Sequence, residues 1–403
     1  MTGKDKKTNI LQSLRQAPSA MFKGFVTRVF CLLPLKKYIM FESTNDFDGN
    51  AGAFYTYLKQ AGVLEEYKAV WVTKNNSHTM PEVITVPRNP SSIKQYLRRQ
   101  YYGCVSKFQF WDNAPIRKRR KRQVNVNLSH GALPYKMVAP LSEFPDFTDF
   151  AVSPSEQCYQ YKKRSWNISD KVEPLYSSLP RNDVFAGHGW DELSKICGDK
   201  KYRKVIIWMP TFRAHVNGKR NDSTKEYPYG IPVIYCAEDF DALNEQLKKL
   251  DILLLVKHHP RSIQYLSLPD LSNVAFWHQL DTQEVDFCKL LTQMDALISD
   301  YSSVVFDYML LDRPIAWTLD DLDSYKPKFT MEDPMSFMPG NHIYRFDDLM
   351  DFIKQVSSGE DIFREQRNDL RIRLGLKDYG RGCETIADFL GLTSRRTGKE
   401  KAD

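Results

Sequence analysis

No stretch of this 403-residue chain approaches the roughly 20 consecutive apolar residues needed to cross a bilayer, so no membrane-spanning helix is expected. The first residues also lack the long uninterrupted apolar core of a signal peptide, and the expectation is a protein that is not exported. The seven cysteines, at 31, 104, 158, 197, 236, 288 and 383, are scattered, odd in number and contain no C-x-x-C pair. Neither a disulfide framework nor a zinc site is indicated, and a reducing cytoplasm fits. Four catalytic signatures are missing too: G-x-S-x-G, G-x-x-x-x-G-K-[ST], H-E-x-x-H, and G-x-G-x-x-G after a strand. Serine hydrolase, P-loop kinase, zinc protease and dinucleotide dehydrogenase chemistry all lose ground with them.

What is present is the composition of a soluble globular protein, 42% hydrophobic and 27% charged, long enough for two domains of comparable size. The net charge of +7 is concentrated in a basic N-terminus (Lys4, Lys6, Lys7, Arg15, Lys23, Arg28) and in the run Arg117 to Arg122. Such clusters attract phosphates, whether of lipid, nucleic acid or a polyphosphate substrate. With no nucleic-acid-binding module nearby, the run reads as a solvated loop and no nucleic-acid partner is expected. Between Met21 and Leu35, Phe22, Phe25, Val26, Val29, Phe30 and Leu33 fall on one helical face, with Lys23 and Arg28 off it. That pattern suits an amphipathic helix lying on an anionic membrane surface, and equally one docked on the protein's own core.

Strand-like and helical patterns alternate. The expected order opens with a strand over Lys37–Glu42, a polar turn through Asp46, Asp48 and Gly49, and a helix over Ala51–Ala61. Strands are expected at Tyr67–Thr73, Val83–Val86, Gly103–Ser106, Val124–Ser129 and Phe150–Ser153, with helices at Ser91–Tyr101 and Ser155–Lys163. The pattern restarts at Val205–Met209 and repeats: helix Asp239–Leu250, strand Ile252–Lys257, helix Val285–Gln293, strand Ala296–Ser299, helix Ser303–Leu311, strand Pro314–Thr318. Helices near Phe346–Val356 and Arg381–Leu390 close the chain, one of them a candidate to cross back to the first domain. The expected fold class is α/β, with two Rossmann-like doubly wound domains facing a cleft. Residues 1–35 form the basic amphipathic segment, 36–190 the first domain and 191–403 the second; 214–235 read as a long loop.

Ligands of such sheets bind beyond the carboxyl ends of the strands, and the chemistry-bearing residues cluster there. After the strand at 124–129 come His130, Gly131 and Lys136, an imidazole where glycine permits close backbone approach, and histidine is the natural base near neutral pH. After 205–209 come Thr211 and Arg213, a hydroxyl and a guanidinium for an anion. Lys257, His258, His259, Pro260 and Arg261 follow the next strand, and Asp300, Tyr301, Ser302 and Ser303 the one after. Either serine reads as the N-cap of a helix whose unpaired N–H groups suit a diphosphate. Each element alone reads as an ordinary turn or cap; their joint placement is the signal.

In order, these motifs resemble the CDP-glycerol glycerophosphotransferase family, the teichoic-acid primases and polymerases. Ser129-His-Gly-Ala132 with Lys136 resembles the family's Trp-His-Gly-Thr-x-x-Lys, and Val152-Ser-Pro-Ser-Glu156 its Val-Ser-Ser-Glu element. Ser178-Leu-Pro-Arg-Asn-Asp183 resembles Gly-x-Pro-Arg-Asn-Asp, and Met209-Pro-Thr-Phe-Arg213 resembles Ala-Pro-Thr-(Phe/Trp)-Arg. Lys257-His-His-Pro260 resembles Lys-x-His-Pro, and Ile298 to Asp307 resembles Ile-Ser-Asp-Tyr-Ser-Ser-x-x-x-Asp. The departures, Ser129 and Ala132 beside the histidine and Ser178 for glycine, bear on the acceptor and the polyol more than on the chemistry.

The resemblance implies a GT-B-like fold and transfer of glycerol phosphate, or a related polyol phosphate, from CDP-glycerol to an acceptor hydroxyl on a lipid-linked or polymeric glycan. CMP would be released, in teichoic acid or capsule-type polymer synthesis on the inner face of a bacterial membrane. His130 and His259 are then the catalytic candidates, and Thr211, Arg213, Asp300, Ser302 and Ser303 the donor diphosphate site. Gly131, Lys136, Arg181, Asp183 and Lys257 order the cleft or grip the acceptor. No tightly bound metal is expected, magnesium entering only on the diphosphate. Two rival readings are a GT-B glycosyltransferase that takes a nucleotide sugar and a non-catalytic protein that binds membranes or phosphate polymers.

Overall fold

The computed structural model of the chain describes residues 20–74, 80–138, 143–213, 221–259, 267–282, 284–376 and 379–393. Seven strands make the first sheet: β1 Lys36–Glu42, β2 Lys68–Thr73, β3 Ile84–Pro87, β4 Ser106–Trp111, β5 Val124–Asn127, β6 Phe150–Ser153 and β7 Glu173–Tyr176. Six make the second: β8 Lys204–Met209, β9 Ile252–Val256, β10 Val274–Phe276, β11 Ala296–Ser299, β12 Ile315–Thr318 and β13 Asn341–Ile343. The orders are β3-β2-β1-β4-β5-β6-β7 and β10-β9-β8-β11-β12-β13, and the pairings are parallel. In both sheets the strand order reverses beside the central first strand, between β1 and β4 and between β8 and β11. Each reversal opens a crevice beyond the carboxyl ends, where ligands of doubly wound sheets bind. Both faces are covered by helices, which is why Ile252–Val256 and Ala296–Ser299 are buried throughout.

Several expected elements shift. The helix placed at Ser91–Tyr101 runs over Ile93–Val105, and β4 begins only at Ser106, the residue at which the expected strand Gly103–Ser106 would have ended. Buried amides hide β4: Asn125 Nδ2 donates to Gln109 Oε1 at 2.9 Å, and the Trp111 indole donates to Asn125 Oδ1 at 2.9 Å. The polar letters are satisfied across the strands, so burial leaves no apolar alternation to read. Strands β7, β10 and β13 and the charged helix Arg364–Arg373 lack any sequence expectation; β7 carries Pro174 and sits at a sheet edge, where proline is tolerated.

The two sheets share one apolar core, in which Phe41, Trp71 and Phe110 join Ile207, Leu255, Leu297 and Trp317. Tyr135, on the segment after β5, stitches it: the ring stacks on Phe306 at 4.9 Å and meets Trp317 edge-on at 5.8 Å. Its hydroxyl donates to the Phe337 carbonyl at 2.6 Å. Backbone pairing continues the junction, Met137 N–H donating to Lys328 O at 2.9 Å and Thr330 N–H to Tyr135 O at 2.7 Å. The last helix, Gly382–Phe389, returns to the first domain, where Phe389 meets Phe150 at 5.1 Å between ring centres. An apolar junction of this extent opposes free swinging of the domains.

The helix Ala20–Leu32 divides its apolar residues between two tasks. Val26 is buried and Phe30 packs edge-on against Tyr101 at 5.7 Å, while Met21, Phe25, Val29 and Leu32 point outward with exposures of 87, 65, 42 and 85%. No helix among the described residues is long and apolar enough to cross a membrane. The basic residues of 1–19, the first part of the 214–235 loop, Pro260 and Arg261 lie outside the described residues.

Candidate active site

The loop that leaves β5 meets the loop that leaves β11. A Cβ placed on Gly131 would lie 2.5 Å from Ser303 Oγ and 2.8 Å from Ser303 Cβ, so only glycine allows this approach. Gly131→Ala is expected to cost about 1–3 kcal/mol of stability by forcing the loops apart. Adding Ser303→Gly, which vacates the space, should restore most of it in denaturant unfolding; a double variant no more stable than the single one would mean the two loops do not touch.

His130 precedes that contact. Ser129 before it has φ +73°, an uncommon left-handed conformation for a residue with a side chain. Ser129 Oγ donates to the Gly131 carbonyl at 2.9 Å, and Asn50 Nδ2 donates to the Ser129 carbonyl at 3.0 Å, which together hold the turn. The turn leaves His130 accessible to solvent at the domain junction. Desolvation by the surrounding walls lowers its pKa, the Arg181 guanidinium lowers it further, and the Asp307 and Asp48 carboxylates oppose both. The net direction keeps the imidazole neutral, the form a general base requires.

Arg181, in the 3-10 turn Pro180–Ala186, spans the domains by pairing with Asp307 of the short helix Val304–Tyr308. Asn182 Nδ2 donates to the other Asp307 oxygen at 3.0 Å, and the Arg181 N–H donates to Asn50 Oδ1 at 3.1 Å. Burial lowers the Arg181 pKa, but Asp307, with Cys288 and Asp112 acting in the same sense, offsets this and the net shift is upward. Asn50 is absent from the sequence expectation, and Asp307, the last residue of the Ile298–Asp307 motif, carries no role there. Asn50 follows β1 as His130 follows β5, so strand-end position signalled it, while its amide carries no charge to draw notice. Asp112, one residue past β4, was also missed. Its Oδ2 accepts from the Ala51 N–H at 3.1 Å, its Oδ1 has no hydrogen-bond partner, and burial pushes its pKa well up.

Three members of the expected diphosphate site are engaged otherwise. Arg213 is buried, with Nε donating to Asp321 at 2.6 Å, Nη2 to the other Asp321 oxygen at 3.1 Å and Nη1 lying 2.9 Å from Asp300. Nη1 also donates to the Thr211 carbonyl at 3.0 Å and to the Thr211 hydroxyl, while Asp300 accepts from the Thr211 N–H at 3.1 Å. Burial alone would lower the Arg213 pKa; Asp300 and Asp321 together carry it well above its ordinary value. Arg213, Thr211 and Asp300 therefore form a closed brace between the β8 and β11 loops, with Asp321 as the missed fourth member. Asp183 is likewise committed. Its two oxygens accept from the Gly382 and Cys383 N–H groups at 2.7 and 2.8 Å, capping the last helix rather than facing an acceptor.

Ser302 and Ser303 stay half-buried at the junction, but neither is a conventional cap. Ser303 occupies the N-cap position in a right-handed conformation with no side-chain bond to the helix, and Ser302 Oγ is 3.5 Å from the Val304 N–H. The α-helix there has five residues, and the remainder of the expected Ser303–Leu311 helix is 3-10. His259 packs against Phe212 at 4.9 Å, and the Lys136 ammonium lies over Phe212 and Tyr325 at 5.9 and 5.4 Å, so these two are brought near each other. Lys257 sits apart, over Phe287 and Trp277 at 4.9 and 5.6 Å, with burial lowering its pKa.

His258 points the other way. Its Nε2 lies 2.9 Å from the Tyr229 carbonyl and must donate, which leaves Nδ1 bare and without a partner. Burial drives its pKa from 6.5 to about 4, with the Tyr229 hydrogen bond opposing and His278 assisting. A folded pKa below the unfolded one means stability is full above pH 6.5 and falls as pH drops towards 4, by about 3 kcal/mol in all. Urea unfolding at pH 7 and 4.5 should show that decline, and His258→Gln should flatten it; an unchanged slope would remove His258 as its source.

The chain is 26% identical over 369 residues to the teichoic acid poly(ribitol-phosphate) polymerase of Bacillus spizizenii, covering 85% of this chain and 55% of the relative. It is 25% identical over 367 residues to the teichoic acid glycerol-phosphate transferase of Staphylococcus aureus, covering 83% and 88%. The chain thus spans about half the length of several curated relatives it matches, the first among them. The solved wall teichoic acid polymerase TagF is similar in fold, with a TM-score of 0.70, 20% identity and coverage of 92% of this chain and 94% of that one. A family model described as CDP-Glycerol:Poly(glycerophosphate) glycerophosphotransferase matches residues 25–390, through both sheets and the helix that ties them. The chain belongs to the CDP-Glycerol:Poly(glycerophosphate) glycerophosphotransferase family.

Proposed function

We propose that the chain transfers glycerol phosphate, or a related polyol phosphate, from a CDP-linked donor to a hydroxyl of a lipid-linked or polymeric glycan, releasing CMP. The supporting observation is the junction at which a neutral imidazole, His130, stands one residue from the contact between Gly131 and Ser303. His130 takes the proton of the acceptor hydroxyl, and the oxygen attacks the phosphorus that bears the polyol. The bond from that phosphorus to the CMP oxygen breaks, and CMP departs with the electron pair. The Ser302 and Ser303 hydroxyls and His259 offset the charge that builds on the transferred phosphoryl group and on the departing CMP phosphate. A magnesium ion, where one takes part, travels with the donor diphosphate.

The names of the relatives, polymerases and transferases of teichoic acid, support a polymeric acceptor. The outward face of Ala20–Leu32, with Lys23 and Arg28 on the same helix, supports docking on the inner, anionic surface of a bacterial membrane. Phe25→Ser with Leu32→Ser is expected to weaken co-sedimentation with phosphatidylglycerol vesicles by about ten- to a hundredfold. Unaltered sedimentation would remove the helix as the docking element. The activity itself is tested by offering CDP-glycerol, CDP-ribitol and UDP-sugars with a lipid-linked acceptor and following nucleotide release. Turnover of a UDP-sugar with no CMP from either CDP-polyol would sink the reading.

A further inference from the structure

A second basic site lies away from the domain junction. Under the helix Ile93–Val105, a cavity of about 130 Å³ is lined by Arg99, Arg117, Arg119 and Gln100 over an apolar floor that includes Met40 and Val72. No carboxylate lines it. Acids on the neighbouring elements are engaged elsewhere: Glu42 pairs with Arg88, Asp149 pairs with Lys118, and Asp112 accepts from the Ala51 N–H. Arg99 donates to the Arg88 carbonyl, whereas the Arg119 guanidinium has no ion pair or hydrogen bond among the described residues. Burial lowers the pKa of both, with Arg119 and Arg88 adding to the effect at Arg99 and Arg117 at Arg119. Converging cations without a counter-charge are unfavourable in a half-buried site, and an anion removes that cost.

We propose that this cavity binds a phosphate group, gripped by the guanidinium forks of Arg99 and Arg119, with Arg117 and Gln100 completing the shell. Arginine matches phosphate with paired N–H donors, a geometry lysine lacks. The volume is below the roughly 300–1,000 Å³ of pockets that take whole ligands, so it suits a headgroup and not the nucleotide donor. The loop that carries Arg117 and Arg119 is tied to the end of the N-terminal helix, because Arg120 Nη1 donates to the carbonyl of Leu33, the residue after it, and Arg119 lies within electrostatic reach of Cys31. The phosphate is therefore assigned to an anionic phospholipid of the surface under that helix. This source rests on the membrane reading above, while the phosphate site does not.

Charge-conserving variants separate the pocket from general attraction to an anionic surface. Arg119→Lys alone, and Arg99→Lys with Arg119→Lys, are compared with the full-length wild type on mixed phosphatidylglycerol and phosphatidylcholine vesicles, and by the melting shift that inorganic phosphate produces. Both variants are expected to lose at least about tenfold in vesicle affinity although net charge is unchanged, and the phosphate shift should shrink with it. Loss of the phosphate shift with vesicle binding intact would support the site and identify its ligand as free phosphate. A wild type that ignores the vesicles would sink the membrane reading alone, leaving the phosphate shift to decide the cavity. Equal vesicle affinity and equal phosphate shift in all three proteins would overturn the proposal.

Discussion

His130→Ala is expected to slow CMP release from a CDP-polyol by a factor of about 10²–10⁴, the usual contribution of a positioned general base. Stability should hardly change, because the side chain is solvent-accessible and its turn is held by Ser129 and Asn50 rather than by the imidazole. That separation makes the test clean: a fall in turnover with an unaltered unfolding curve is a loss of chemistry. The pH dependence carries a second signature. Desolvation and Arg181 shift the His130 pKa downward, so the acid limb of kcat/KM should fall at lower pH than for an ordinary imidazole. In the alanine variant that acid limb should disappear along with most of the rate. Full CMP release by the variant would remove His130 from the base role, and a limb that persists unchanged would assign the titration to another group.

How far the site could be read from sequence varies with whether its partners are local. Ala296–Ser299 is legible because an interior parallel strand needs only a short apolar run, and the polar letters after it mark the carboxyl end. His130 and Gly131 are legible for the same reason, as a base and a small residue at a strand end. The contact that gives Gly131 its purpose, with Ser303, joins two domains and has no local trace. Arg213 shows the limit of that reading: a guanidinium after a strand suits an anion, whichever one the fold supplies. Its anion is Asp321, 108 residues later, and only the completed fold brings the two together. Asp183 follows the same logic, since the N–H groups it caps lie 199 and 200 residues away. In the first sheet, Gln109 defeats the pattern in the opposite sense, a buried polar residue whose carboxamide oxygen accepts from Asn125 on the neighbouring strand.

The Arg213 brace yields the largest expected stability change. Arg213 is 6% exposed, and it faces Asp300 and Asp321, which are 0 and 1% exposed. Arg213→Met removes the cation and leaves two carboxylates in a dry site. Breaking a buried ion pair from one side costs about 3–5 kcal/mol, because the abandoned charge must be desolvated or protonated. Denaturant unfolding should show a loss of that size. Adding Asp300→Asn and Asp321→Asn should recover part of it, since the triple variant buries no unpaired charge. A diphosphate ligand would behave differently: an arginine that reached into the cleft for its substrate could be replaced with little change in stability, and KM for the donor would rise. An Arg213→Met protein as stable as the wild type, with a raised KM, would return Arg213 to the donor site. A destabilised protein rescued by the two asparagines would establish that the brace holds the β8 and β11 loops, and hence Ser302 and Ser303, in position against the His130 loop.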